Sequence, residues 1–245
     1  MVKVAGNRTA VVVGVGASDG LGAALARRFA HEGLDVVIVG RSEDRLRAVA
    51  ANTGGRGRRV RPFVADATKE GDVTALFSSI RPGSLELVVY NVGSNAMVPS
   101  LDISKALFSR MWRQNALGGF LVGREAIRSM LPRGSGTLLY TGATASVRAR
   151  PPFLAFASAK AALRAVAQGY AREFGPQGIH VAHVVIDGVI RGDYAQSNFP
   201  DFVAAKGDDG LLELDDIAQT YWTLHTQPRS AWTHELDLRP FKEDF

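Results

Sequence analysis

There is no cysteine among the 245 residues of this chain. That removes disulfides, thiolate nucleophiles and cysteine-held metals together, and fits an intracellular compartment. No apolar run approaches the ~18 residues of a membrane-spanning helix, and the first hydrophobic stretch, 9–15, meets glycines too soon for a secretory signal. The cytoplasm is the expected location, with no membrane partner. Aromatic residues make up only 8%, and none interleaves with the early arginines, so no base-stacking platform for nucleic acid is foreseen. The formal charge is +5, and 27–61 holds nine arginines against four acids, with Arg56, Arg58, Arg59 and Arg61 in a Gly-rich connection. A solvated loop accounts for that cluster; contact with an anionic ligand is the alternative.

What is present is a set of short, valine-rich apolar runs separated by segments with helical periodicity. That alternation predicts an α/β protein with a parallel sheet covered on both faces. Strands are expected near 9–15, 35–39, 59–64, 85–90, 136–142, 178–186 and 232–238, and helices near 20–32, 42–52, 69–80, 102–130, 152–174 and 214–226. Seven strands with a crossover helix in nearly every gap describe one doubly wound, mostly parallel sheet of the Rossmann type, with 1–245 forming a single domain. The stretch 187–210, rich in Gly, Asp, Asn and Pro, is expected to be irregular and to act as a lid or substrate loop.

The first strand runs into Gly16-Ala17-Ser18-Asp19-Gly20-Leu21-Gly22 and then a helix. In a strand, glycine turn and helix of this kind, the free N–H groups and the helix dipole favour a pyrophosphate, and glycines allow close approach. Gly16, Ser18, Asp19, Gly20, Leu21 and Gly22 are therefore candidate contacts of a dinucleotide. The second strand ends in Gly40-Arg41, with a guanidinium where a carboxylate would accept the ribose 2′-hydroxyl of NAD. Arg41 suits a 2′-phosphate, so NADP is expected over NAD. The same turn satisfies Gly-x-Ser-x-Gly, which as a hydrolase elbow would need Ser18 as nucleophile and a histidine such as His225 or His234. His180 and His183 have the look of a metal pair, but three residues apart on a strand they face opposite sides, and no metal is expected. Trp112, Trp222 and Trp232 are read as packing residues.

These spaced elements resemble the short-chain dehydrogenase/reductase family over nearly the whole chain. The family's Gly-x-x-x-Gly-x-Gly turn is similar to Gly16, Gly20 and Gly22, and its adenine-binding aspartate to Asp66, followed by Ala67. Its Asn-Asn-Ala-Gly segment is similar to Tyr90-Asn91-Val92-Gly93, its helix asparagine to Asn115, and its catalytic lysine to Lys160. The resemblance implies a nicotinamide-dependent oxidoreductase acting on a small carbonyl or alcohol, as a homodimer or homotetramer built on the helices at 102–130 and 152–174. It further implies that Asp66, Ala67, Asn91, Val92, Gly93, Lys160, Gly188 and Val189 line the cofactor.

The departures from the family lie in the chemistry. The tyrosine that protonates the carbonyl oxygen is here Phe156, and the serine that orients the carbonyl falls on Ala143. The family's Pro-Gly after the sixth strand is Asp187-Gly188, and its cofactor-binding threonine falls on Gly192. Phe156 and Lys160 share a helix face, but a phenyl ring has no proton to give. Stand-ins for the missing hydroxyls are Thr144, Thr141, Tyr194 or a water between Asn115 and Lys160. The alternative is a protein that binds the dinucleotide without turning it over.

Overall fold

The computed structural model describes residues 8–53, 59–93 and 95–243. Arg56 and Arg58 of the basic connection lie outside them. Among the described residues seven strands form one sheet: β1 (Thr9–Val13), β2 (Asp35–Gly40), β3 (Val60–Val64), β4 (Leu85–Tyr90), β5 (Gly136–Thr141), β6 (Ile179–Ile186) and β7 (Glu235–Leu238). Their order is β3-β2-β1-β4-β5-β6-β7, and every neighbouring pair is parallel. The chain winds outward from β1 in one direction and from β4 in the other, so a crevice opens between their carboxyl ends, where open α/β sheets bind ligands.

Burial on both faces explains the continuous apolar composition of the central strands. On one face, Val12, Ile38, Leu139 and Val184 pack under α1 (Leu21–His31), α2 (Glu43–Asn52) and α9 (Leu214–His225). On the other, Val11, Val88, Leu138 and Val181 pack under α3 (Glu70–Ser78), α5 (Gly118–Met130) and α6 (Leu154–Phe174).

The expected single helix over 102–130 is broken. It comprises α4 (Lys105–Trp112), a π-helical turn at Arg113–Leu117, and α5. The Tyr90 hydroxyl donates to the Gln114 carbonyl at 2.5 Å inside that turn, a tertiary contact of the kind that holds a widened helix turn. The stretch 187–210 is not irregular either, since it carries α7 (Asp193–Asn198) and α8 (Pro200–Lys206). Trp112 departs from its expected packing role and is 44% exposed, whereas Trp222 packs on Phe29 and Trp232 stacks on His180. Among the described residues, no helix is long and apolar enough to cross a membrane.

Candidate active site

The glycine turn begins two residues earlier than the motif suggests. Gly14 follows β1 at φ +100°, and a Cβ there would lie 2.6 Å from the Asn91 carbonyl oxygen, so left-handed backbone and close approach both demand glycine. Asn91 in turn is fixed across the switch point, its N–H donating to Val13 O at 2.8 Å and its side-chain amide to Gly14 O at 3.3 Å. A Cβ on Gly16 would meet nothing within 4 Å, so the turn is open at that point. Helix α1 starts at Leu21 with no side-chain cap on its N-terminus, which leaves first-turn N–H groups for an outside acceptor. The Asp19 carbonyl accepts from the Asp193 N–H at 2.8 Å, tying the start of α7 to the turn.

At the end of β2, Arg41 is exposed. Burial works to raise the Asp66 pKa, but hydrogen bonds from Thr68 and the charges of Arg41 and Lys69 outweigh it and hold the carboxyl below its ordinary value. Asp66 Oδ1 accepts from the Thr68 N–H and hydroxyl at 2.9 and 2.8 Å, so Oδ2 is the oxygen that those bonds leave over. Ala67 is buried and Val92 packs on the core beneath it, while Val189 accepts from the Leu212 N–H.

Asn115 and Lys160 converge on Gly93. A Cβ on that glycine would lie 3.0 Å from Lys160 Nζ and 3.3 Å from Asn115 Oδ1. Asn115 is fully buried within the π-helical turn; its amide nitrogen donates to Met111 O at 2.9 Å, and its Oδ1 has no protein partner. Lys160 is buried, donates to the Thr141 carbonyl at 2.9 Å, and lies 5.8 Å from the centre of the Phe156 ring. Desolvation pushes its ammonium down to about 8. The phenyl ring stands one helical turn from the lysine and offers only its face to that charge.

The hydroxyl stand-ins are engaged elsewhere. Thr144 donates to Asp187 Oδ1 at 2.6 Å, Thr141 shares a hydrogen bond with the Tyr221 hydroxyl at 2.9 Å, and Tyr194 is an exposed residue of α7. Ala143 begins a short turn in which its N–H donates to Ser146 Oγ. The hydrolase reading of Ser18 falls on topology. His225 bonds Thr137 at the amino end of β5, and His234 precedes β7, whereas Ser18 follows the carboxyl end of β1 in the same parallel sheet. His180 and His183 take separate partners, Thr233 O and Glu235.

Two groupings went unforeseen. One is buried Asp187, which accepts from Thr144, from Arg148 at 2.8 and 3.0 Å, and from Arg239 at 2.5 Å. The other is Arg164–Glu235–His183 beneath α6, with Arg164 bidentate on Glu235 at 2.6 Å and Glu235 at 2.9 Å from His183 Nδ1. The Arg164 hydrogen bond carries Glu235 down to about 2, and burial carries His183 down to about 4. These partners come from separate elements, Arg164 from α6, His183 from β6 and the others from strand ends and loops, so no periodicity betrays the pairings.

Comparison with known proteins identifies the family and the fold. The sequence profile of the short chain dehydrogenase family matches residues 9–201. A glucose 1-dehydrogenase of Gluconobacter oxydans is 33% identical over 183 residues, 73% of this chain and 69% of that protein. An oxidoreductase of Staphylococcus aureus is 26% identical over 235 residues, 94% and 96% of the two chains. The solved structure of a short-chain dehydrogenase from Rhodopseudomonas palustris has a TM-score of 0.81 at 37% identity, covering 96% of this chain and 100% of that one. With the family profile matching most of its length and a solved relative 37% identical over nearly all of it, the chain belongs to the short-chain dehydrogenases.

Proposed function

We propose that the protein is an NADP-preferring oxidoreductase that interconverts a small carbonyl compound and its alcohol, with the hydroxyl groups of its family replaced at the reacting end. The observation that carries this reading is the convergence of buried Lys160 and the unpartnered Asn115 Oδ1 on Gly93, in the crevice that the glycine turn also enters. The residues suit a dinucleotide. The uncapped turn Gly16–Gly22 would take the pyrophosphate, with Ser18, Asp19 and Leu21 around it. Arg41 would take the 2′-phosphate, Asp66 and Ala67 the adenine end, and Asn91, Val92, Gly93, Gly188 and Val189 the nicotinamide end. When bound, a nicotinamide supplies or accepts the hydride.

The chain's own task is then to handle the proton. Lys160, held near neutrality by burial, exchanges a proton with water placed between its Nζ and Asn115 Oδ1, and that water serves the carbonyl oxygen in place of a phenol. Phe156 and Ala143 exclude bulk water there and orient nothing, so turnover is slow. A second reading, dinucleotide binding without turnover, is favoured by the commitment of Thr144 to Asp187 and of Thr141 to Tyr221.

Fluorescence titration with NADPH and with NADH at fixed salt tests the cofactor assignment. Tighter NADPH binding is expected, with the preference abolished in Arg41→Ala. Equal affinities, or a preference that survives the substitution, would overturn it. Single-turnover mixing of the NADPH complex with a panel of ketones and aldehydes separates slow catalysis from none.

A further inference from the structure

The Asp187 cluster stands at the reacting end of the site. Asp187 follows β6 directly and precedes Gly188; Thr144 follows Ala143, the residue at the position of the family's serine. A carboxylate buried to 4% exposure at that place must be matched. Burial works to raise its pKa, but the Thr144 and Arg239 hydrogen bonds and the Arg148 and Arg239 charges outweigh it, keeping Asp187 ionised. Arg148 binds both of its oxygens through a single terminal nitrogen. Among the described residues, its Nε and its other terminal nitrogen make no hydrogen bond, and Asp187 is its one acidic partner. Asp187 is shared with Arg239, which also stands 3.6 Å from Asp237. The Arg148 side chain is 32% exposed. It is therefore a guanidinium fixed at one corner by a buried carboxylate, partly desolvated, with donors unused.

We infer that Arg148 anchors an oxyanion on the substrate, so that the carbonyl compound taken by this site carries a carboxylate or a phosphate ester. The inference rests on the oxidoreductase reading and names its substrate class. A bare surface arginine would pay side-chain entropy to clamp an anion; here Asp187 has already fixed the guanidinium, and the remaining cost is desolvation. The fork of donors suits either oxyanion bidentately. The positions of the family's two hydroxyls offer none, since Ala143 and Phe156 lack them, and the neighbouring Thr144 is committed to Asp187. Positioning thus passes to the charged end of the substrate, where fixing one end brings the carbonyl to the nicotinamide.

Paired ligands differing only in charge test this. The pairs are 2-oxobutyrate with 2-oxobutyramide, and dihydroxyacetone phosphate with dihydroxyacetone, each titrated calorimetrically into the protein with and without NADP. The charged member of one pair is expected to bind about 10- to 100-fold more tightly, as a charge-assisted hydrogen-bonded pair would give. The pair that shows the difference identifies the oxyanion. The preference should collapse in Arg148→Gln and survive in part in Arg148→Lys, which keeps the charge without the fork, while NADPH affinity in both stays within about twofold, far below a tenfold step. A merely structural strut would lower the melting temperature and NADPH affinity without altering the ratio within a pair. Equal binding within both pairs, no binding of either charged member, or a preference retained in Arg148→Gln overturns the inference. Failure of the wild type to bind NADPH overturns the dinucleotide reading instead, and the titrations without NADP then decide the anchor.

Discussion

Restoring the two missing hydroxyls should convert slow chemistry into ordinary turnover. Phe156 and Lys160 lie one turn apart on α6, and the ring centre is 5.8 Å from Nζ, so a phenol at position 156 would extend from a ring that already neighbours the cation. A free phenol titrates near 10, and a cation held that close favours its ionised form and lowers its pKa. A positioned general acid is worth about 10²–10⁴ in rate, or about 3–5 kcal/mol of barrier. Phe156→Tyr with Ala143→Ser is therefore expected to raise the rate of carbonyl reduction by that factor at saturating NADPH, with cofactor affinity little changed. The assay is NADPH oxidation across pH. On the proposed mechanism the wild type draws its proton from Lys160, whose pKa burial lowers to about 8, so reduction should fall as pH rises through that value. In the double variant the falling limb should follow the new phenol, and Lys160→Ala should move it upward while slowing both proteins. A wild type as fast as the double variant on a broad panel of ketones would refute the reasoning, as would a rate flat through pH 8.

Two further outcomes concern the scaffold. Burial holds His183 and His225 at about 4, below the ordinary 6.5. Both are therefore neutral when folded and take up protons on unfolding. Stability present above pH 6.5 should be lost as pH falls towards 4, by on the order of 3 kcal/mol per histidine. Urea midpoints at pH 7, 5.5 and 4.5 measure this, and an unchanged midpoint would exclude it. Glu235, carried down to about 2, adds its loss only in a lower window, as pH falls from the ordinary carboxylate range through 2. A Cβ on Gly142 would collide with the His183 ring and lie 3.0 Å from Val184 O, so Gly142→Ala should destabilise by about 1–3 kcal/mol. Thermal denaturation should show partial recovery on adding His183→Ala, and a neutral Gly142→Ala would mean that the ring moves freely.

The sheet was legible because each central strand is buried on both sides and so spells an uninterrupted apolar run, which turns and amphipathic helices then punctuate. The glycine turn was legible because its constraint is local: the tight approach at Gly22, where a Cβ would lie 2.9 Å from the Gly14 carbonyl oxygen, depends on the absence of a side chain and on little else, while Gly16 leaves the turn open. The break at Asn115 was not. Helical periodicity continues through 113–117, and the widened turn accompanies a hydroxyl from Tyr90, more than twenty residues away, bonding the Gln114 carbonyl. Helices α7 and α8 have six and seven residues, too few for an apolar stripe to stand out from loop composition. Trp112 carries no signal of exposure in its own identity.

At the reacting end, the sequence announces three departures from the family without their connection. Read singly, Phe156 and Ala143 are lost hydroxyls and Asp187 is a lost proline. Placed together, they mark a change in the kind of force that orients the reacting groups. A carboxylate at position 187 would be costly to bury alone, and it is retained with two guanidinium groups and the Thr144 hydroxyl gathered around it. That gathering engages the Thr144 hydroxyl, the one adjoining Ala143 in sequence. It also leaves Arg148 rigid and only partly satisfied. Meanwhile Lys160 faces a phenyl ring in place of a phenol; its ammonium donates to the Thr141 carbonyl, and its pKa falls to about 8 through desolvation. Any anion brought into the crevice would favour the charged form of that lysine. An oxyanionic substrate would then both fix its own carbonyl through Arg148 and keep a proton on Lys160, two tasks that Ala143 and Phe156 cannot perform.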